Sequence, residues 1–260
     1  MKHQSDVAWE KWGQVDPYYG VLADDKFRGE NIQQSKREFL DSGEEHIAGV
    51  LRKIDHHFGP IRRMRALDFG CGVGRLLLPL SQQFERVAGL DISKSMLQEA
   101  SRNLSARDIG NVELLVSDDV LSALGDRTFD FVHSYIVLQH IEARRGYQIV
   151  SKLLDHLATD GAFFLHMCFG AARSTGRVQL TGARRLVRYV RTKVPFAYVF
   201  LNVLRGHPAF RPAMEMNEYD VGTMFELFRG AGFTEVISNV EQHGSWLTVS
   251  FCGKRAESGS

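Results

Sequence analysis

The stretch Leu67-Asp68-Phe69-Gly70-Cys71-Gly72-Val73-Gly74-Arg75 runs directly into Leu76-Leu77-Leu78. A short apolar run that ends in alternating glycines and passes into an apolar helical pattern reads as strand, turn and helix. Glycines let the chain turn sharply and leave the N–H groups of a helix N-terminus open to a ligand, where the dipole favours negative charge. The next apolar run ends in Gly89-Leu90-Asp91-Ile92, which puts a carboxylate 21 residues after Gly70 at the carboxyl edge of the neighbouring strand. In an open parallel sheet ligands bind outside those edges, and a carboxylate there suits the two hydroxyl donors of a ribose. Ser93 stands ready to cap the helix that starts at Lys94, so Asp91 is free for other work.

The spacing of the glycines separates possible cofactors. A dinucleotide fingerprint needs glycine at its first, third and sixth positions. Here Gly70, Gly72 and Gly74 hold the first, third and fifth, and Arg75 holds the sixth. A nicotinamide oxidoreductase is therefore the weaker reading.

Outward from this turn, short apolar runs alternate with amphipathic stretches, the pattern of βα units on a mostly parallel sheet. Strands are expected at 65–69, 86–90, 112–116, 129–134 and 161–167, then at 233–240 and 246–252. Helices are expected at 74–84, 94–106, 142–158 and 221–230. Only Glu241 to Ser245 separate the last two strands, which makes them an antiparallel hairpin. The fold expected is α/β: a Rossmann-like, doubly wound, seven-stranded sheet with a helical N-terminal extension over residues 1–60. That extension carries Trp9, Trp12, Tyr18, Tyr19 and Phe27, and a helix at roughly 43–58. The main domain should cover 61–254, with an insert at 170–220 and a frayed tail at 255–260.

Four motifs in order give the chain its resemblance to the class I S-adenosylmethionine-dependent methyltransferases. They are Leu67 to Gly74, Leu90-Asp91-Ile92-Ser93 with Met96, Ser117-Asp118-Asp119-Val120, and Phe129 to Ser134 leading to Leu138-Gln139-His140-Ile141. The resemblance extends from about Ser42 to Lys254 and implies S-adenosyl-L-methionine as cofactor. It implies that the amino-acid end of the cofactor lies against Asp68, Gly70, Cys71 and Gly72, with Ser134 nearby, and the ribose on Asp91. The adenine would lie among Ile92, Met96 and Val120, with Asp118 or its neighbour Asp119 near the exocyclic amine. A carboxylate accepts from an amine, and apolar side chains cover a flat ring.

Methyl transfer from a sulfonium needs mainly alignment and exclusion of water. A hydroxyl acceptor also needs a base, for which imidazole is suited near neutral pH. Tyr135, His140 and His166 are the catalytic candidates because they follow or end the fourth and fifth strands. His133 should alternate away from the site. Tyr18 and Tyr19 on one side, and Met216, Asn217 and Tyr219 on the other, are candidate walls for a substrate. A sugar or an anionic glycolipid precursor fits the wider resemblance to bacterial small-molecule and sugar methyltransferases.

The 260 residues carry 32 Lys+Arg against 31 Asp+Glu, a net charge of +1, which argues against a protein that grips nucleic acid along its length. The place where amine-methylating enzymes of nucleobases carry Asn-Pro-Pro-aromatic reads His133-Ser134-Tyr135-Ile136. No cysteine follows a proline, and no metal-ligand spacing appears. Three scattered cysteines suit a reducing compartment, and a cytoplasmic location is expected. Between Asp160 and Glu215 there is no acidic residue but nine Arg and Lys, interleaved with apolar and aromatic side chains. Such an insert suits a lid over an anionic or lipid-linked substrate, or peripheral membrane contact through 184–204. A non-catalytic cofactor-binding or membrane-docking module is the alternative.

Overall fold

The seven expected strands form one sheet, in the order β3-β2-β1-β4-β5-β7-β6. The structure is a computed structural model and describes residues 3–172, 212 and 214–256. The strands are β1 (Arg65–Phe69), β2 (Arg86–Asp91), β3 (Val112–Val116), β4 (Phe129–Ser134), β5 (Leu157–Ala171), β6 (Val236–His243) and β7 (Trp246–Lys254). The first five are parallel, and β7 runs antiparallel between β5 and β6. The strand order reverses between β2-β1 and β4, so a crevice opens at the carboxyl ends of β1 and β4, where open α/β sheets bind ligands.

The main helices are α1 (Gln4–Val15), α2 (Pro17–Val21), α3 (Ile32–Phe58), α4 (Leu77–Gln83), α5 (Lys94–Ser105), α6 (Ala143–Asp155) and α7 (Val221–Gly230). Helix α3 starts eleven residues earlier than the pattern suggests, because its apolar side chains Phe39, Leu40, Ile47, Val50, Leu51 and Ile54 keep helical spacing through Gly43. Gly43 is a contact point within that helix: a Cβ there would lie 2.5 Å from the carbonyl oxygen of Arg75. Helix α4 is shorter than expected, since residues up to Leu76 belong to the glycine turn.

Two apolar layers hold the helices to the sheet. One joins Phe39, Ile47 and Ile54 of α3 to Leu77, Leu80, Phe131 and Phe164. The other joins Ile149 and Leu153 of α6 and Phe228 of α7 to Leu67, Val132, Phe163 and Phe251. Helix α1 docks across the start of α5, where Glu10 accepts from Ser95 Oγ at 2.6 Å and Ser93 Oγ at 2.9 Å. Gly13 permits that approach, since a Cβ would meet Ser93 Oγ at 2.7 Å. Among the described residues no helix is long and apolar enough to cross a membrane. The expected basic lid lies mostly in 173–211, outside the described residues, as do 257–260 of the tail.

Candidate cofactor and acceptor site

The cleft at the switch point takes in about 790 Å³ of space, open solvent at its mouth included. Its floor is the glycine turn. Gly70, Gly72 and Gly74 have φ of 76°, 54° and 84°, a region that L side chains rarely adopt. A Cβ on Gly70 would lie 2.4 Å from Val137, and one on Gly72 would lie 2.7 Å from Val21, so the turn admits only glycine.

Asp91 ends β2 on the cleft wall, 9% exposed. Its Oδ2 accepts from Gly72 N and its Oδ1 from Ser93 N, both at 2.8 Å. Burial pushes this carboxyl up to about 6, against the lowering effect of those two bonds. Each oxygen keeps a further lone pair, so the carboxylate ties the glycine turn to β2 and can still accept from a ligand. Asp68 lies deeper, 1% exposed, with Oδ1 bonded to His133 Nδ1 at 2.8 Å. Its Oδ2 is buried with no hydrogen-bond partner, an orphaned acceptor suited to a cation, although Asp68 is not among the described residues that line the cleft. Cys71 is buried beneath the turn, its thiol pushed well up by burial.

At the opposite end Ile92 and Met96 line the cleft. Asp118 also lines it, yet its carboxylate accepts from Val120 N and Ser122 N at 3.1 and 2.9 Å and from Ser122 Oγ. Those bonds, the Ser122 hydroxyl first, hold it below the usual aspartate range. Asp119 is held by Arg145, whose Nε and Nη2 lie 2.7 and 2.6 Å from Oδ1. Val120 is 64% exposed and is not among the described residues that line the cleft. Ser134 is fully buried, donating from Oγ to Phe69 O at 3.0 Å.

Tyr135, Ile136, Val137 and His140 also line the cleft. Ile136 has φ 61°, a costly conformation for a β-branched residue, of order 1–3 kcal/mol, of the kind that gathers at functional sites. His140 is 5% exposed, with Nδ1 2.6 Å from the Glu215 carbonyl oxygen. A carbonyl only accepts, so Nδ1 carries the hydrogen and Nε2 is the acceptor, with the Gln139 Nε2 amide 3.5 Å away as a long donor. Burial lowers this imidazole to about 4, so it is neutral at pH 7. His166 is 1% exposed, contacts Tyr135 and His243 edge-on and stacked, and leaves both ring nitrogens without partners. It is not among the described residues that line the cleft.

The expected substrate walls are placed differently from the sequence reading. Tyr18 spends its hydroxyl on Glu99 Oε1 at 2.6 Å and Asn103 Oδ1 at 3.0 Å, fastening the N-terminal segment to α5. Tyr19 is buried under Arg28, 4.1 Å from its ring. Tyr219 donates to Leu138 O at 2.8 Å and packs on Gly146, where a Cβ would come within 1.9 Å of its hydroxyl. Asn217 N donates to Gln139 O at 2.7 Å, and Met216 lies between it and the Glu215 carbonyl that holds His140. These residues brace the turn around His140. His133 does occupy the strand face opposite Ser134, but that face carries Asp68, so it bonds to the site instead of leaving it.

Part of the cleft escaped the sequence reading. Ser5, Asp6 and Trp9 of α1, Gly20 and Val21 of α2, and Arg145 of α6 close over it. Trp9 sits 4.9 Å from the His140 ring. Arg145, 11% exposed, grips Asp6 Oδ1 at 2.7 Å as well as Asp119. The aromatic cluster at Trp9 and Trp12 was the available signal; nothing in the local sequence pairs Asp6 with Arg145. Arg145→Ala would strand two carboxylates and free α1. We expect amide exchange over Gln4–Val15 to accelerate about tenfold or more while that of the β1 and β4 amides is unchanged.

The methyltransferase-domain family matches residues 66–161, the stretch from β1 into β5. Over 129 residues the chain is 30% identical to aklanonic acid methyltransferase DauC of Streptomyces sp. strain C5, covering 48% of this chain and 59% of that one. Over 115 residues it is 28% identical to the ubiquinone biosynthesis O-methyltransferase of Rickettsia typhi, covering 44% and 45%. The chain thus spans about half the length of the curated relatives it matches. The likeness of fold extends further than these matches. Magnesium protoporphyrin IX methyltransferase from Synechocystis PCC 6803, solved with bound S-adenosylmethionine, superposes with a TM-score of 0.61 at 16% identity, covering 98% of this chain and 99% of that one.

Proposed function

We propose that the protein transfers a methyl group from S-adenosyl-L-methionine to an oxygen or nitrogen of a small molecule. The observation that carries this reading is the pairing of Asp91 with the glycine turn across β1 and β2, on the wall of a cleft whose other side presents His140. The orphaned Oδ2 of Asp68, the glycine cradle and the apolar pair Ile92 and Met96 fit the ammonium, the backbone-hugging chain and the adenine of that cofactor. When bound, the cofactor supplies a methyl group that is already activated.

The chain's own residues do the rest. Asp91 holds the ribose hydroxyls and Asp68 the amino group, which fixes the reacting end beside the glycine turn. Helices α1 and α2 exclude water from above. His140 accepts the proton of a hydroxyl or ammonium acceptor at Nε2, while Glu215 keeps Nδ1 protonated and the ring oriented. Tyr135 packs beside the acceptor.

A sugar or an anionic glycolipid precursor is the finer acceptor class. The nine positive charges and the absence of acidic residues between Asp160 and Glu215 support it, and so does the suggested contact of 184–204 with an acidic membrane surface. The test is transfer of label from methyl-labelled S-adenosylmethionine to a panel of hydroxylated aromatics, sugars and glycolipids, with and without vesicles of acidic phospholipid. Labelled sugar or glycolipid product supports the full proposal. Product only with hydroxylated aromatics keeps the methyl transfer and overturns the acceptor class.

A further inference from the structure

Two imidazoles next to Asp68, those of His133 and His46, have no task in the proposed reaction. His133 Nδ1 lies 2.8 Å from Asp68 Oδ1, and His133 Nε2 lies 3.0 Å from Nε2 of His46 on α3. Asp68 and His133 are sealed in the core, whereas His46 is half-buried and stacks at 4.0 Å on Tyr135, a residue of the cleft wall. The three groups form a line from the proposed ammonium site at Asp68 to Tyr135, through which the line meets the cleft wall.

Two facing ring nitrogens share one hydrogen, and a neutral imidazole has one N–H, so the hydrogens along the line are set together. With Asp68 ionised, His133 donates from Nδ1, accepts at Nε2 from His46, and leaves Nδ1 of His46 bare. With Asp68 protonated, the carboxyl donates to His133 Nδ1, His133 donates from Nε2 to His46, and Nδ1 of His46 carries the hydrogen. No hydrogen bond to Nδ1 of His46 occurs among the described residues, so either state is open to that nitrogen.

The surroundings keep both rings neutral. Burial lowers His133 to about 3 and His46 to about 2, and Arg75 lowers both further. His166 on β5 adds to the effect on His46. Burial pushes Asp68 up to about 8 despite Arg75, the basic group that faces it from the end of the glycine turn. Asp91 on β2 and the Cys71 thiol are the other titratable groups that sense Asp68. The proton of the line therefore resides on the carboxyl or nowhere.

We propose that His133 and His46 are positioning residues that form a tautomer relay: a ligand ammonium beside Asp68 ionises it and turns Nδ1 of His46 from donor into acceptor, next to Tyr135. The ammonium is that of the proposed cofactor, so the inference rests on the methyl-transfer reading for its ligand. Its consequence is order. His46 offers a lone pair beside Tyr135 only once the amino-acid end of the cofactor is seated, whereas His140 Nε2 offers one throughout.

The test is a side-chain ¹⁵N correlation spectrum of the full chain at pH 6.5, with and without saturating S-adenosylhomocysteine, which carries the same amine. Without it, His133 should be protonated at Nε2 and His46 at Nδ1. With it, both assignments should reverse, neither ring should show an imidazolium, and calorimetry in buffers of different ionisation heat should show release of close to one proton. Asp68→Asn should hold both tautomers fixed. Binding heat with unchanged tautomers in the wild-type chain, or an imidazolium at either ring, overturns the relay. No binding heat at all overturns the cofactor reading instead. The ligand-free chain then still tests the relay, because titration from pH 6 to 9.5 must exchange both tautomers at one shared midpoint.

Discussion

Asp91→Ala is expected to weaken binding of S-adenosylhomocysteine by on the order of a hundredfold, read by titration calorimetry. Two hydroxyl donors on one carboxylate are each worth roughly 1.5 kcal/mol, and about 3 kcal/mol corresponds to that factor. The substitution also removes the acceptor of Gly72 N and Ser93 N, both bonded at 2.8 Å, so the glycine turn loses its tie to β2. Asp91→Asn keeps one acceptor oxygen and should fall between the two, which separates ligand contact from collapse of the turn. The pH dependence has a definite sign. Burial raises this carboxyl from 3.8 to about 6, so the folded chain keeps a proton that the unfolded chain has lost in that interval. The stability contributed by this group is present below the lower value and is lost as pH rises through the upper one. Ribose hydroxyls need the ionised form. Nucleoside affinity should therefore rise from pH 5 to pH 7, as the unliganded fold gives up part of its stability, and Asp91→Ala should flatten both trends. Affinity within a few-fold of wild type in Asp91→Ala would remove the residue from the site.

His140→Ala is expected to lower kcat by a factor of about 10² or more, with affinity for S-adenosylhomocysteine unchanged within a few-fold. Positioned bases contribute about 10²- to 10⁴-fold. The ring meets the geometric requirements: it lines the cleft, its Nδ1 is committed to the Glu215 carbonyl at 2.6 Å, and it is neutral because burial lowers it to about 4. Its limb of the pH profile should accordingly fall below pH 5, and be absent in the variant. A His140→Ala enzyme within a few-fold of wild type, measured by label transfer to an acceptor found in the panel, would show that alignment alone drives the reaction.

The sheet was legible because β1 to β4 are short, apolar and separated by turn chemistry that sequence displays directly. The glycine turn and Asp91 were legible for the same reason: each is local, and their meeting follows from adjacent parallel strands. Helix α3 was legible in position but not in length, since Gly43 reads as an interruption until the Arg75 carbonyl that needs its missing side chain is seen. The roof of the cleft was not legible. Asp6, Arg145 and Asp119 come from α1, α6 and the segment after β3, and no local spacing encodes an ion pair across 139 residues. Tyr18 and Tyr219 illustrate the same limit. An aromatic residue near a site offers both a face and a hydroxyl, and only the fold shows that both hydroxyls are spent on internal bonds to Glu99 and Leu138. His133 was misjudged because strand alternation states which face a residue takes but not that Asp68 waits on that face.

The most direct test of the central claim is a crystal structure of the full chain with S-adenosylhomocysteine. The account predicts the ribose hydroxyls within hydrogen-bond distance of Asp91, the thioether beside Gly70 and Gly72, and the adenine against Ile92 and Met96. A nucleoside bound elsewhere, or turned so that its ribose leaves Asp91 untouched, would contradict it.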